Sequence, residues 1–487
     1  MKVCVVTSEL APLARTGGLG EAVSGLCRFL HGRGIDLRIF LPRYAACELR
    51  GEPVAPVEPL QGLEVELGGE RVGYSVDATR LPGGGPGVHL VRCPRYYDRS
   101  GLYDDRGDEH LRFALLTRAA LESCRRTGFG PDVLHLHDWH AALAPLYLRT
   151  CCRDPVFADS RTLLTIHNLA YQGVFPARAL AEVGLAGASD LVDGGDLAAD
   201  RISFLASGIR HADALSTVSE THAREIQTPE QGFGLDGLLR ARADRLTGIV
   251  NGVDYAEWDP RTDPLIAHRY SPDDLAGKEL DKRALLESLG LPWRERVPVL
   301  AVISRLVEQK GFDLLFRPLP ELLERRDVRL VALGTGEPRY EELFHSLRRR
   351  FPHRASFFRG FDERLAHQIQ AGSDLFLMPS RFEPCGLAQL YALRYGTPPV
   401  VRRTGGLADT VEPFDPVTGR GTGFVFDHFD ADSVRWALDH ALDTHADPTL
   451  WELLVRNGMT RDFSWDRQGE RYLELYRRLA GGTLAGE

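Results

Sequence analysis

The sequence predicts an α/β protein built from two doubly wound domains in tandem. Three observations lead there. The chain is 487 residues long, more than a single hydrophobic core usually serves. Short apolar runs of strand length alternate with helical stretches, the pattern of buried parallel strands layered with helices. The alternation is interrupted at Asn251–Pro264, where turn residues and the prolines Pro260 and Pro264 suit a linker, and then it restarts.

In the first half, Val3–Thr7, Leu37–Leu41, Val88–Cys93, Val133–Leu136, Leu163–Ile166, Ala214–Val218 and Leu246–Val250 are predicted strands. Helices are expected at Glu21–Leu30, His110–Arg126 and Trp139–Arg149. The glycine cluster LPGGGPG at 81–87 joins two strand-like runs, Arg71–Val76 and Val88–Cys93. It therefore reads as a hairpin loop, because a phosphate cradle should lead from a strand into a helix. Past the linker, Val299–Ile303, Leu330–Leu333, Ser356–Phe358, Leu375–Met378 and Pro399–Val401 are predicted strands. Arg364–Ala371 and Gly386–Arg394 are predicted helices between them, and Ser464–Leu479 closes the chain as an amphipathic helix.

Composition narrows the function. A net charge of −9 argues against nucleic acid as the main partner, since phosphate backbones select basic surfaces. The eight cysteines are scattered without a Cys-x-x-Cys pair, so no zinc site is expected and reduced thiols are the default. No segment approaches the ~20 apolar residues that span a bilayer. The apolar run at the start is too short for a signal-peptide core and reads as a first strand. A cytoplasmic location is the expectation.

The pentapeptide RTGGL occurs twice, at 15–19 and 403–407, each time between a strand and a helix. Paired glycines uncover backbone N–H groups, and a helix start adds unpaired donors and a positive dipole end, which together make an anion site. In open α/β sheets ligands sit at the carboxyl ends of strands. A phosphorylated ligand could lie between the two turns; the alternative is a pair of helix N-terminal turns with no ligand. Arg305 and Lys310 leave the end of strand Val299–Ile303 and could hold a diphosphate; a solvated loop with two surface charges is the plainer reading. Glu383 is expected at a helix start after Leu375–Met378, as a catalytic group or as a simple cap. His135, His137 and His140 form the densest histidine cluster, with alternation placing His135 and His137 on one face. A substrate contact by His137 or Asp138 outweighs a metal site there. His167 and Asn168 repeat the arrangement at the next strand end.

Together these segments closely resemble the bacterial glycogen synthases and plant starch synthases. The resemblance rests on TSELAPLARTGGLGE, LHLHDWH, TIHNLAYQGVF, STVSETHAREI, GIVNGVD, ISRLVEQKG, PSRFEPCGLAQLYALRYGTPPVVRRTGGLADTV and GTGFVF, in that order along the chain. It implies a GT-B fold: two Rossmann-like domains facing across a cleft, at 1–255 and 256–463, with a helix at 464–487 crossing back to the first. It implies transfer of glucose from ADP-glucose to the non-reducing end of an α-1,4-glucan, with retained configuration and with neither cofactor nor metal. His167, Glu383, Arg305, Lys310 and Asp138 carry over as catalytic positions. Arg15, Gly17, Gly18, Asn168, Asn251, Phe361, Cys385, Gly386, Thr404, Gly405, Gly406 and Leu407 carry over, with Arg305 and Lys310, as donor-binding positions. Phe361 matches a residue that stacks on the base. The partners implied are ADP-glucose and glycogen.

Two positions depart from the family's habit. Arg15 stands where Lys is usual, and Phe361 where Tyr is common. Tyr391 replaces the second glutamate of a Glu-x7-Glu pair, as is usual for the synthases. The run Asp430-Ala431-Asp432 opens a predicted helix, so capping explains it better than a metal. Competing readings are another retaining GT-B transferase using UDP-glucose, a glucan-binding protein with a dead site, and a phosphorylase of the same fold. The last needs a pyridoxal-phosphate lysine, and no lysine follows Lys310.

Overall fold

The computed structural model describes residues 1–481. The chain divides into two compact units, one of Met1–Gly252 joined by the C-terminal helix, the other Val253–Ser464.

In the first unit seven parallel strands lie side by side. Their order is Leu246–Gly248, Ala214–Thr217, Arg161–Ile166, Val133–His137, Lys2–Val6, Asp36–Pro42 and Gly87–Arg92. Past their first residues the central strands are buried, as strands covered on both faces must be. The sheet is not wholly parallel at this edge, as the expected hairpin requires. Glu70–Arg80 pairs antiparallel with Gly87–Arg92, making LPGGGPG the hairpin loop expected, and Leu63–Leu67 pairs antiparallel with Glu70–Arg80. The predicted helix Trp139–Arg149 is two helices, Asp138–Ala141 and Ala144–Arg149. Pro145 has no N–H to continue the ladder of the first.

The helix Trp465–Ala480 belongs to this unit and buries Trp465, Tyr472, Leu475, Tyr476 and Leu479. It packs on the helix Gly18–Gly32. A Cβ at Gly25 would lie 1.8 Å from Trp465 Nε1, so the close approach of the two helices requires that residue to be glycine. Tyr476 OH lies 2.7 Å from His135 Nδ1, and His135 Nε2 lies 2.6 Å from Thr165 Oγ1. His135 is therefore a satisfied interior group that ties the last helix to the strand ends.

The second unit holds six parallel strands in the order Ala355–Arg359, Arg329–Gly334, Val299–Ile303, Leu375–Met378, Pro399–Arg402 and Phe424–Phe426. One core lies on each face of this sheet. Val299–Ile303 has Arg329–Gly334 on one side and Leu375–Met378 on the other, so chain direction across the sheet reverses there. That reversal opens a crevice at the strand ends, the usual ligand site of such sheets. Lys2–Val6 occupies the same position in the first unit. Asp430 accepts a hydrogen bond from Ser433 N at 2.7 Å and caps the helix Ala431–His445, as the sequence suggests. Among the described residues, no helix is long and apolar enough to cross a membrane.

Candidate active site

In the first unit the strand Lys2–Val6 leaves its crevice as a loop that ends at the first RTGGL turn. The buried Glu9 organises that loop. Its Oε2 accepts from Thr16 N at 2.7 Å and Gly17 N at 3.3 Å, and its Oε1 accepts from Thr16 Oγ1 and Tyr103 OH, both at 2.8 Å. The turn is thus an anion site whose first two amides are filled by the chain's own carboxylate, correcting the expectation that they stand uncovered. The helix proper starts at Gly18 without a side-chain cap, which leaves its first-turn donors for a ligand. Nothing lies within 4 Å of a Cβ built on Gly17. Arg15 pairs with Glu21 at 2.6 Å.

At the next strand ends, His137, Asp138, His167 and Asn168 come together. His137 Nδ1 and His167 Nε2 are 2.9 Å apart. Burial holds both imidazoles below the ordinary histidine range, His167 down to about 3, so both rings are neutral and one N–H is shared between them. Asp138 adopts a left-handed backbone, φ 54°, a strained choice for a residue with a side chain. That turn aims its carboxylate at the next loop, where Oδ1 accepts from His167 N at 2.7 Å and Asn168 N at 3.4 Å. Asn168 uses its own side-chain oxygen to accept from Ala170 N at 3.1 Å. Asn251 is buried, and its Oδ1 has no hydrogen-bond partner among the described residues.

Burial pushes the Asp138 carboxyl up to about 7, against the lowering effect of those two amides. The folded chain then keeps a proton there from the ordinary range of about 4 up to about pH 7, where the unfolded chain has lost it. Stability from this group is full at low pH and falls as pH rises through that window. Asp138→Asn removes the titration. Its melting temperature relative to the unmodified protein should therefore rise between about pH 4 and pH 7. Parallel curves would show that Asp138 does not titrate in that range.

In the second unit the crevice is lined by two loops that the backbone locks together. Arg381 N donates to Gln309 O at 2.9 Å. Gly311 has φ 73°, and a Cβ on it would sit 2.0 Å from Pro379 O, so only glycine lets the Lys310 loop come this close. The result is an ion pair, Lys310 Nζ to Glu383 Oε2 at 2.6 Å, with Ser380 Oγ donating to the same oxygen at 3.0 Å. Glu383 is 5% exposed. It does not cap a helix, since the following helix starts at Ala388. Arg305 follows the same strand as Lys310; it is exposed, and its guanidinium has no hydrogen bond or ion pair among the described residues.

The second RTGGL turn differs from the expected cradle. Gly406 N donates to Glu383 O at 3.0 Å and Leu407 N to Thr404 O at 3.0 Å. A Cβ on Gly405 would meet Glu383 O at 1.9 Å, and one on Gly406 would meet Cys385 O at 2.1 Å. These glycines let the turn lie against the Glu383–Cys385 backbone. Thr404 and Leu407 are buried, Leu407 in the core. Gly386 takes φ 74° just past Cys385. Phe361, beyond the strand Ala355–Arg359, is 72% exposed. Sequence reasoning did not find Glu9, Tyr103 or Ser380. Glu9 and Ser380 sit inside quoted motifs, but their partners are set by the fold.

Residues 2–241 match the family model described as starch synthase catalytic domain, and residues 289–451 that of glycosyl transferases group 1. The chain is 46% identical over 486 residues to a glycogen synthase of Anaeromyxobacter dehalogenans, covering 99% of this chain and all of the relative. It is 45% identical to glycogen synthase 2 of Geobacter sulfurreducens, with both chains fully covered. Its fold superposes on the catalytic domain of Arabidopsis thaliana starch synthase IV, solved with ADP and acarbose, with a TM-score of 0.92 at 32% identity over 99% of each chain.

Proposed function

Because the chain belongs to the glycogen and starch synthase family of glycosyltransferases, we propose that it moves glucose from ADP-glucose to the non-reducing end of an α-1,4-glucan with retained configuration. The observation that carries the reading is the Lys310–Glu383 pair at the crevice of the second unit, with Arg305 leaving the same strand end.

Arg305 and Lys310 hold the diphosphate and take up the negative charge that builds as ADP departs, which lowers the barrier if they are in place beforehand. Phe361 stacks on the base. Thr404, Gly405, Gly406 and Leu407, with Cys385 and Gly386, form a backbone wall against the donor. Within the first unit, Arg15, Gly17, Gly18 and Asn251 are assigned to donor binding and His167, Asp138 and Asn168 to sugar contact. A neutral His167 donates or accepts at a hydroxyl without placing a cation beside the sugar as oxocarbenium character develops.

Glu383 stabilises that positive charge. Its Oε2 already carries two donors, which weakens it as a nucleophile. This supports a front-face departure and return without a covalent intermediate. A trapped glucosyl adduct on Glu383 would overturn it.

The test is transfer to glycogen from ADP-glucose and UDP-glucose in parallel, each with a chelator present. Strong chelator-resistant transfer from ADP-glucose is expected. A preference for UDP-glucose would make Arg15 and Phe361 responsible for altered donor choice. No transfer from either donor would overturn the proposal.

A further inference from the structure

Apart from the Lys310–Glu383 crevice, the second unit gathers Glu257, Glu363 and His367. One ligating atom from each lies within 4.8 Å of the others. Glu363 and His367 are four apart on the helix Glu363–Gly372 and so share a face. Glu257 comes from the irregular segment that opens the unit.

The histidine is the telling member. It is 1% exposed. Its Nδ1 lies 2.7 Å from Asp263 Oδ2, and the same oxygen accepts from Tyr395 OH at 2.5 Å. A carboxylate at Nδ1 keeps the proton on that nitrogen and leaves Nε2 as a lone pair. That Nε2 is buried and has no hydrogen-bond partner among the described residues. A buried acceptor left unpaired is costly, and native structures give nearly every one a protein, water or ion partner. Trp258 stacks on the ring, centroids 3.7 Å apart and planes 16° apart, and fixes its orientation. A histidine with a carboxylate on one nitrogen and a bare second nitrogen beside two more carboxylates has the arrangement of a metal ligand.

We propose that Glu257, Glu363 and His367 bind a divalent transition-metal ion, Zn²⁺ by preference, with water completing the shell. Imidazole with carboxylates and no thiolate suits zinc and disfavours Mg²⁺ and Ca²⁺, which take oxygen alone. Tetrahedral zinc spaces its ligands by about 3.3 Å. The two glutamates are only partly buried, and their long side chains can close the difference. The ion ties the segment that carries Glu257 to the helix that carries His367. It stabilises the second unit and takes no part in transfer, and the proposal does not depend on the donor chemistry.

The test uses the full chain, stripped by chelator, with Cys151 and Cys152 changed to serine. Those neighbouring thiols lie 3.9 Å apart and would bind zinc themselves. Titration with Zn²⁺ by calorimetry should give about one equivalent and a raised melting temperature. Glu257→Gln and Glu363→Gln should each weaken binding at least about tenfold and lose the zinc-dependent rise. Co²⁺ should give a visible absorption band that both variants lose. The proposal is overturned if Zn²⁺ neither binds nor stabilises the unmodified site, or if both glutamine variants bind it as before.

Discussion

Replacing Glu383 by alanine should lower kcat by about 10²- to 10³-fold while ADP binding changes far less. The carboxylate lies in the crevice of the second unit, where the proposed donor binds, and its backbone oxygen, which receives Gly406 N, survives the substitution. What the variant loses is a negative charge held at 2.6 Å by Lys310 and at 3.0 Å by Ser380. If that charge faces the developing oxocarbenium sugar, its loss falls on the transition state and not on ground-state binding, so kcat drops and nucleotide affinity stays. Glu383→Gln separates charge from shape. It fills the same space, and Ser380 can still donate to its oxygen, so it should be nearly as slow as alanine. Turnover close to normal in the glutamine variant would reduce Glu383 to a spacer. Near-normal turnover in both would remove it from the mechanism.

The two RTGGL turns show how far a sequence can be read and where it stops. Their context, strand then helix at the end of a parallel sheet, was legible from apolar runs and glycines. Their chemistry was not, because each turn spends amides on a group brought by the fold. Glu9 fills the first turn with help from Tyr103, 94 residues away. The backbone of Glu383 fills part of the second. The Lys310–Glu383 pair spans 73 residues and exists only because strands Val299–Ile303 and Leu375–Met378 are neighbours. Most strand positions were legible where burial on both faces made a continuous apolar run, as in Leu375–Met378, while the three-residue strand Phe424–Phe426 was too short to be recognised. Leu63–Leu67 escaped such a search because it alternates apolar and acidic residues, buried on one face only. Phe361 was found by resemblance alone. Nothing local marks an exposed phenylalanine as a stacking platform.

Arg305 and Lys310 should prove unequal, although both are assigned to the same leaving group. The Arg305 side chain is exposed and holds no partner among the described residues, so Arg305→Ala should leave the melting temperature unchanged. Its cost, on the order of 10²-fold in kcat, should be partly recovered by lysine, which restores the charge without the planar fork. Lys310→Ala should cost more, about 10³-fold, because it removes a cation and also strips Glu383 of its ion-pair partner in a buried setting. That coupling has a readout that a pair of independent cations would not give. In a double-mutant cycle, Lys310→Ala combined with Glu383→Ala should lose much less than the product of the two single losses, since the second change removes a carboxylate the first has already left unpaired. Arg305→Ala combined with Glu383→Ala should come much closer to the full product. Full multiplicativity in the Lys310 cycle would mean that the pair is only a resting contact and that the two groups meet the donor separately. A loss of melting temperature in Arg305→Ala would place that arginine in the structure and leave the charge of the departing diphosphate to Lys310 alone.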